Sequence, residues 1–252
     1  MFLSTEARDC LYVNWAVPLS QAPPLPAPLR YERHSSGGQD LVFFSALCFH
    51  LSGLRPEVLP LLRVSYPQLT FRTYVIDGDN VPSVLFVRVW VPFWVAPLTR
   101  FIGRQPASPG IFSFPPPTRE RLQDQFRWRV RSNETLEIAA RVGAPIAGMA
   151  PALGSFARTV EYFRRRPRGY VVLGDGNLRA IDRSHPQVDV LPLTVEIAES
   201  ALLRSIWPGV AEPVWQQPHS AWLCPDIPFS FELGPPIRLP LPAALPAAPA
   251  RF

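Results

Sequence analysis

The chain has 252 residues, 47% of them apolar and 18% charged, and carries a formal net charge of +5. This is the composition of a globular protein long enough to bury a substantial core, and its 32 prolines exclude an all-helical architecture because proline breaks helix interiors. All 25 positions counted as Lys or Arg are arginine, so no side-chain amine exists to form a Schiff base or to act as a base of lowered pKa.

The basic residues do not define a nucleic-acid partner. The densest run, Arg164-Arg165-Arg166 with Arg168, has no recognition motif or basic tail beside it, and it reads as a solvated edge. Cys10, Cys48 and Cys224 are odd in number and far apart along the chain, with neither a C-x-x-C pair nor a disulfide framework. "MFLSTEARDC" places Glu6 and Asp9 where a signal peptide needs an apolar core. The expected setting is therefore the cytoplasm. The longest apolar run, Val81 to Leu98, is interrupted by Arg88 and three prolines. A membrane helix needs about 20 continuous apolar residues, so buried strands and no membrane partner are expected.

In chain order, "PPLPAPL" (Pro23–Leu29) is an extended Pro-rich lead-in. A Ser-Ser-Gly-Gly turn signal precedes "LVFFSALCFHL" (Leu41–Leu51), a β-branched and aromatic run that predicts a strand. "RPEVLPLLRV" predicts one short helical turn. "FRTYVI" and "SVLFVRVWV" read as two strands joined by the Asp77–Asn80 turn. Alternation places Arg72, Tyr74 and Ile76 on one face of the first. It places Val84, Phe86, Arg88 and Trp90 on one face of the second. "APLTRFIGRQ" predicts a short helix, and "QFRWRVRSNETLEIAAR" a hairpin with one apolar and one charged face. "SFARTVEYFRRR" spaces Phe156, Val160 and Phe163 helically behind Ser155, a good N-cap. "GYVVLGDGNLRAID" is a strand–turn–strand, and "VDVLPLTVEIAES" and "SAWLCPDIPFSFELGPPIRL" supply the last strands. Residues 1–239 are expected to form one mostly β (α+β) domain with two or three short helices. Residues 240–252, rich in Pro and Ala, are expected to form a disordered tail.

The order of "NWAVP", "LPAPLRYE", "LVFFSALCFHLSGLR", "FRTYV", "DGDNVPSVLF", "VEYFRRRPRGYVVLGDGNLRAIDRSHP" and "WLCPDIPFSFELGPPIRL" resembles the YqjF-like family of uncharacterised bacterial proteins, related in fold to acetoacetate decarboxylase. The resemblance spans about Asn14 to Leu239. It implies a closed, cone-like antiparallel β-barrel with short peripheral helices around an apolar cavity. Acetoacetate decarboxylase uses a catalytic lysine. That role maps onto no residue here, so Schiff-base decarboxylation is rejected.

Alternate strand residues of a barrel point inward. Arg72 and Tyr74 facing the interior would project a cation and a hydroxyl into an apolar chamber. A buried arginine needs a carboxylate partner or an anionic ligand. Arg72, Tyr74 and Arg88 are therefore the candidate ligand-binding residues, with bidentate recognition of a carboxylate as their chemistry. The competing readings are an internal ion pair to Glu196, Glu137 or Glu161, and an outward-facing side chain. His50, whose pKa lies near neutrality, and Glu196 on "TVEIAES" are the candidate acid/base residues of a lysine-independent enzyme. A third class is a partner-binding barrel with a filled interior. No two of His34, His50, His185 and His219 have metal-ligand spacing, and no nucleotide or hydrolase fingerprint occurs. The expectation is thus a small-molecule ligand without metal or cofactor, with association between copies left open.

Overall fold

The computed structural model describes residues 2–59, 61–100, 107–114, 125–143, 153–184, 186 and 188–237. The first strands in chain order are β1 (Phe2–Pro18), β2 (Arg30–Tyr31), β3 (His34–Ser36), β4 (Gln39–Pro56), β5 (Val64–Ile76), β6 (Pro82–Val91), β7 (Ala107–Pro109) and β8 (Ile111–Ser113). They are followed by β9 (Phe126–Arg131), β10 (Thr135–Val142), β11 (Arg168–Val172), β12 (Leu178–Ser184), β13 (Leu191–Glu199) and β14 (Ser220–Ile237). Among the described residues four short α-helices accompany them: α1 (Ala96–Leu98), α2 (Phe156–Arg164), α3 (Ala201–Ile206) and α4 (Glu212–Gln216).

Seven strands in the order β1-β4-β5-β6-β11-β12-β14 close on themselves, because β14 pairs back onto β1 over an antiparallel register from Phe2↔Glu232 to Asn14↔Ser220. Closure leaves this part of the sheet without an edge. The mostly β, closed-barrel class read from the sequence is what the chain adopts. One junction of the ring, β6 to β11, is parallel, as suits strands separated by a long crossover that contains α2. From β14 the sheet continues outward through β13, β10, β9 and β8.

The inward and outward faces of the barrel strands feed two cores. Outward side chains Trp15, Phe44 and Phe71 pack with Trp207 and Trp215 beneath β13, β10, α3 and α4. Trp15 anchors there by donating from Nε1 to the Trp215 carbonyl at 2.9 Å. The inner core contains Phe43, Leu47, Phe49, Tyr74, Trp222 and, from α2, Phe163. Ser155 caps α2 as expected, its Oγ accepting from the Arg158 amide at 3.3 Å. The helix turns Thr159, Val160 and Phe163 inward, so Phe163 closes one end of the barrel against Phe43, Tyr74 and Trp222.

Several local expectations change. The first strand is 17 residues long, although Glu6, Arg8 and Asp9 interrupt its apolar pattern. A bulge between Arg8 and Leu11 absorbs the interruption, with Asp9 at φ 48°. "RPEVLPLLRV" forms successive turns, Leu59 N–H to Pro56 O and Leu62 N–H to Leu59 O, where a helical turn was expected; Pro56 and Pro60 remove the amides a helix would need. Only Ala96–Leu98 of "APLTRFIGRQ" is α-helical, and residues 101–106 lie outside the described residues. The same is true of His185 and of the tail 240–252. The hairpin of β9 and β10, the helix α2 and the β5–β6 pair fall where the sequence places them.

Candidate functional site

Strand β5 carries the centre of the site. Tyr66, Gln68, Thr70 and Arg72 alternate onto its inner face and line a chamber of about 240 Å³ inside the barrel. The wall is otherwise largely apolar, with Leu47, Phe49, Val89, Ile227 and Phe229 among its residues. Leu62 and Leu98 also border the chamber and are 53% and 41% exposed, which puts an opening at their end.

Arg72 is only 3% exposed. Its Nε and Nη2 donate to the Tyr74 hydroxyl at 3.2 and 3.1 Å, and Nη2 also donates to the Phe163 carbonyl at 3.0 Å. The guanidinium carbon stands 5.2 Å from the Tyr12 ring and 5.4 Å from the Tyr74 ring. These contacts hold the cation in place, and none neutralises it. Of the carboxylates that could have done so, Glu137 pairs with Arg127 and Arg129, and Glu161 with Arg165, all on the surface.

Tyr74, fully buried, begins a one-way chain of hydrogen bonds. Its hydroxyl lies 2.7 Å from Ser45 Oγ, and Ser45 donates to Asn14 Oδ1 at 2.5 Å. Asn14 Nδ2 donates in turn to the carbonyl and hydroxyl oxygens of Ser220 at 3.3 and 3.2 Å. Since Ser45 has a single proton and spends it on Asn14, Tyr74 is the donor to Ser45. Ser220 Oγ ends the chain 3.2 Å from His219 Nδ1. Burial, with the charge of His34, pushes the His219 imidazole down to about 4, so it is neutral at physiological pH.

A second guanidinium enters the chamber from β12. Arg183 lines it two residues after Ile181, which does the same. Its Nη2 donates to the Arg166 carbonyl at 2.9 Å and its guanidinium carbon lies 5.4 Å from the Phe86 ring. Its Nε is buried without a hydrogen-bond partner among the described residues. Burial and the nearby Arg72 charge push its pKa down to about 10. Arg166, by contrast, is neutralised by Glu32 at 2.5 Å. Sequence reading missed Arg183, although the alternation of Ile181, Asp182 and Arg183 signals its face.

The other candidates are not in the chamber. Arg88 is exposed and donates to Ser108 Oγ at 3.3 Å. The cause is a β-bulge: Phe71 pairs with Arg88 and Arg72 with Phe86, leaving Val87 extra. The extra residue re-aims the side chains beyond it, so Val84, Phe86, Val89 and Val91 join the inner core while Val87 and Trp90 join the outer one. His50 lies between Phe49 and Leu51, which line the chamber, and faces away from it against the Phe114 ring, 5.5 Å between centroids. Glu196 is exposed on β13 opposite Ala139. Neither acid/base candidate approaches Arg72. Cys10 borders the chamber opposite Cys224 across β1 and β14, and both thiols are free. Burial raises the Cys10 thiol well above its ordinary value, the reverse of an activated nucleophile.

A larger groove of about 800 Å³ on the outer wall is lined by Pro23, Leu25, Tyr31, Val87 and Trp207. Its one arginine, Arg100, is held by the Ala107 carbonyl at 2.7 Å. Among the described residues no group of three His, Cys, Asp or Glu side chains is placed to hold a metal, and no helix is long and apolar enough to cross a membrane.

A closed barrel of this kind is the architecture of the acetoacetate-decarboxylase-like proteins. The chain belongs to the family DUF2071, described as an uncharacterised conserved protein, which matches residues 4–226. Among solved structures it is similar to an acetoacetate decarboxylase-like enzyme from Sphingomonas wittichii RW1, with 18% identity, a TM-score of 0.56, and 94% of this chain and 92% of that one covered. It is also similar to the enduracididine biosynthesis enzyme MppR complexed with pyruvate, with 12% identity, a TM-score of 0.58, and 92% and 89% covered. At these identities the likeness establishes the fold. No curated protein matches the chain.

Proposed function

We propose that the protein binds a small carboxylate-bearing molecule in the barrel, with Arg72 and Arg183 as the anion-recognising groups and Tyr74 as the residue that orients Arg72. The observation that carries this reading is a pair of guanidinium groups bordering one apolar chamber, neither ion-paired to a described carboxylate. Two unneutralised cations in a low-dielectric space cost several kcal/mol, and an anion arriving between them recovers that cost. The hollow of about 240 Å³ speaks against a filled structural barrel. The bound pyruvate of MppR is a precedent on this fold for a small acid.

Thermal unfolding with and without added propionate tests the reading. A ligand that binds only the native state raises its stability by mass action. Propionate is expected to raise the Tm of the natural chain and to leave that of Arg72→Met unchanged. Equal shifts in both proteins, or none in either, would reject the assignment.

A further inference from the structure

The chamber has one charged end and a long apolar remainder. Resting on the anion-binding reading above, we infer that its ligand is an amphipathic monocarboxylate, a medium-chain aliphatic or aryl acid. A short, polar keto acid would leave most of the chamber unfilled.

The two guanidinium groups are the charged groups bordering the chamber. Of the polar side chains near them, Gln68 donates to Thr70 Oγ1 at 2.8 Å and Tyr74 is spent on Ser45 and Arg72, while Tyr12 and Tyr66 add a hydroxyl each to the wall. No second cationic cluster meets the far end of a ligand. There the wall is Leu51, Leu54, Val95 and Leu98, reaching the opening at Leu62. Apart from the hydroxyl of Tyr66, which lies opposite Leu51, a polar far end would lose its water to hydrocarbon there and gain no described partner.

Volume sets the length. A dry cavity of about 150 Å³ accepts benzene, so 240 Å³ accommodates roughly ten heavy atoms by the same proportion. Octanoate has that size. Each methylene taken from water into such a wall tightens binding roughly fourfold. A chain-length series therefore separates an apolar-bodied ligand from a short one.

The test is isothermal titration of the full chain with sodium acetate, butyrate and octanoate, and with 1-octanol as the uncharged counterpart. Octanoate is expected to bind more than about tenfold tighter than butyrate, and tighter than 1-octanol. Arg72→Met is expected to abolish the preference for the acid over the alcohol; Arg183→Met serves if that variant does not fold. Equal affinity for acetate, butyrate and octanoate, lost in Arg72→Met, would overturn the amphipathic ligand and leave the anion site standing. Octanoate and 1-octanol binding alike, with Arg72→Met indifferent, would overturn the anion site. Binding of neither would overturn both.

Discussion

Arg72 and Phe163 are joined by a hydrogen bond of 3.0 Å from Nη2 to the main-chain carbonyl, across 91 residues of sequence. This bond ties the inner face of β5 to the last turn of α2, so the helix that closes the barrel also fixes the guanidinium. Nη2 and Nε are committed to Phe163 and Tyr74, while Nη1 has no described acceptor. The cation is thus held from one side.

Tyr74→Phe removes the acceptor for two of those bonds and the donor to Ser45. Leaving buried polar groups unmatched costs about 1–3 kcal/mol each, more when one is charged. Urea unfolding is expected to show an unfolding free energy lowered by about 2–4 kcal/mol, seen as a lower midpoint with the slope unchanged. A change under about 0.5 kcal/mol would show that Arg72 is supported elsewhere.

Arg183→Met is expected to stabilise the empty protein while weakening carboxylate binding. It removes a cation with an unpartnered Nε and relieves its repulsion with Arg72, at the cost of one bond to the Arg166 carbonyl. The net gain should be on the order of 1 kcal/mol, read as a higher Tm. Arg88→Ala, on the exposed bulge, should change neither stability by more than about 0.5 kcal/mol nor binding. A lower Tm for Arg183→Met would mean that its hydrogen bond outweighs its burial.

His219 makes stability depend on pH. It titrates near 4 in the fold against an ordinary value of 6.5. Between those values the unfolded chain binds a proton that the native protein refuses, so stability falls as pH drops through this window, by on the order of 3 kcal/mol in total. Asp9 acts oppositely: burial and Asp226 raise it to about 6 from 3.8, so acidification across that range favours the native state. The His219 share is isolated by His219→Gln. The urea midpoint should fall less in that variant than in the natural chain between about pH 7 and pH 5. An equal fall in both would assign the dependence to other groups.

Gly169 on β11 sits behind the chamber wall. A Cβ there would stand 2.5 Å from Phe86 Cε2, and Phe86 both borders the chamber and lies beneath Arg183. Gly169→Ala must push this ring inward. Overpacking of this kind costs about 1–3 kcal/mol, and the displaced ring should shorten the longest acid that binds. Unchanged stability together with an unchanged chain-length preference would show that the ring has room to move elsewhere.

Much of the sheet was legible because period-two alternation survives in the sequence of β5, β9 and β10. Arg72 and Tyr74, two apart on one strand, had to share a face. Arg88 was misplaced because the bulge at Val87 lies within Phe-Val-Arg-Val, where no Gly, Pro or Asn marks it. Arg183 was missed because which face of β12 turns inward is set by pairing with β11 and β14, both distant from the opening "FRTYV" motif. The first strand was missed because its charged residues fall at a bulge and at the exposed rim, where alternation fails. His219, which follows Pro218 and has no strand pattern of its own, is buried where its amide docks on the Asn14 carbonyl at 2.7 Å, a pairing made only when β1 and β14 meet.

The hydroxyl chain from Tyr74 to Asn14 has a direction, and every proton in it points away from Arg72. Beside that guanidinium the Tyr74 hydroxyl already accepts from Arg72 and donates to Ser45, so what the pair leaves for a ligand is the N–H side of Arg72. A head group that keeps its own proton, whether alcohol, amide or undissociated acid, would find no acceptor on Tyr74 and would have to turn to Gln68 or Thr70. On the proposed reading a carboxylate, made entirely of acceptors, suits the Arg72 end of the barrel better than its conjugate acid does, a preference set before any difference in shape is felt.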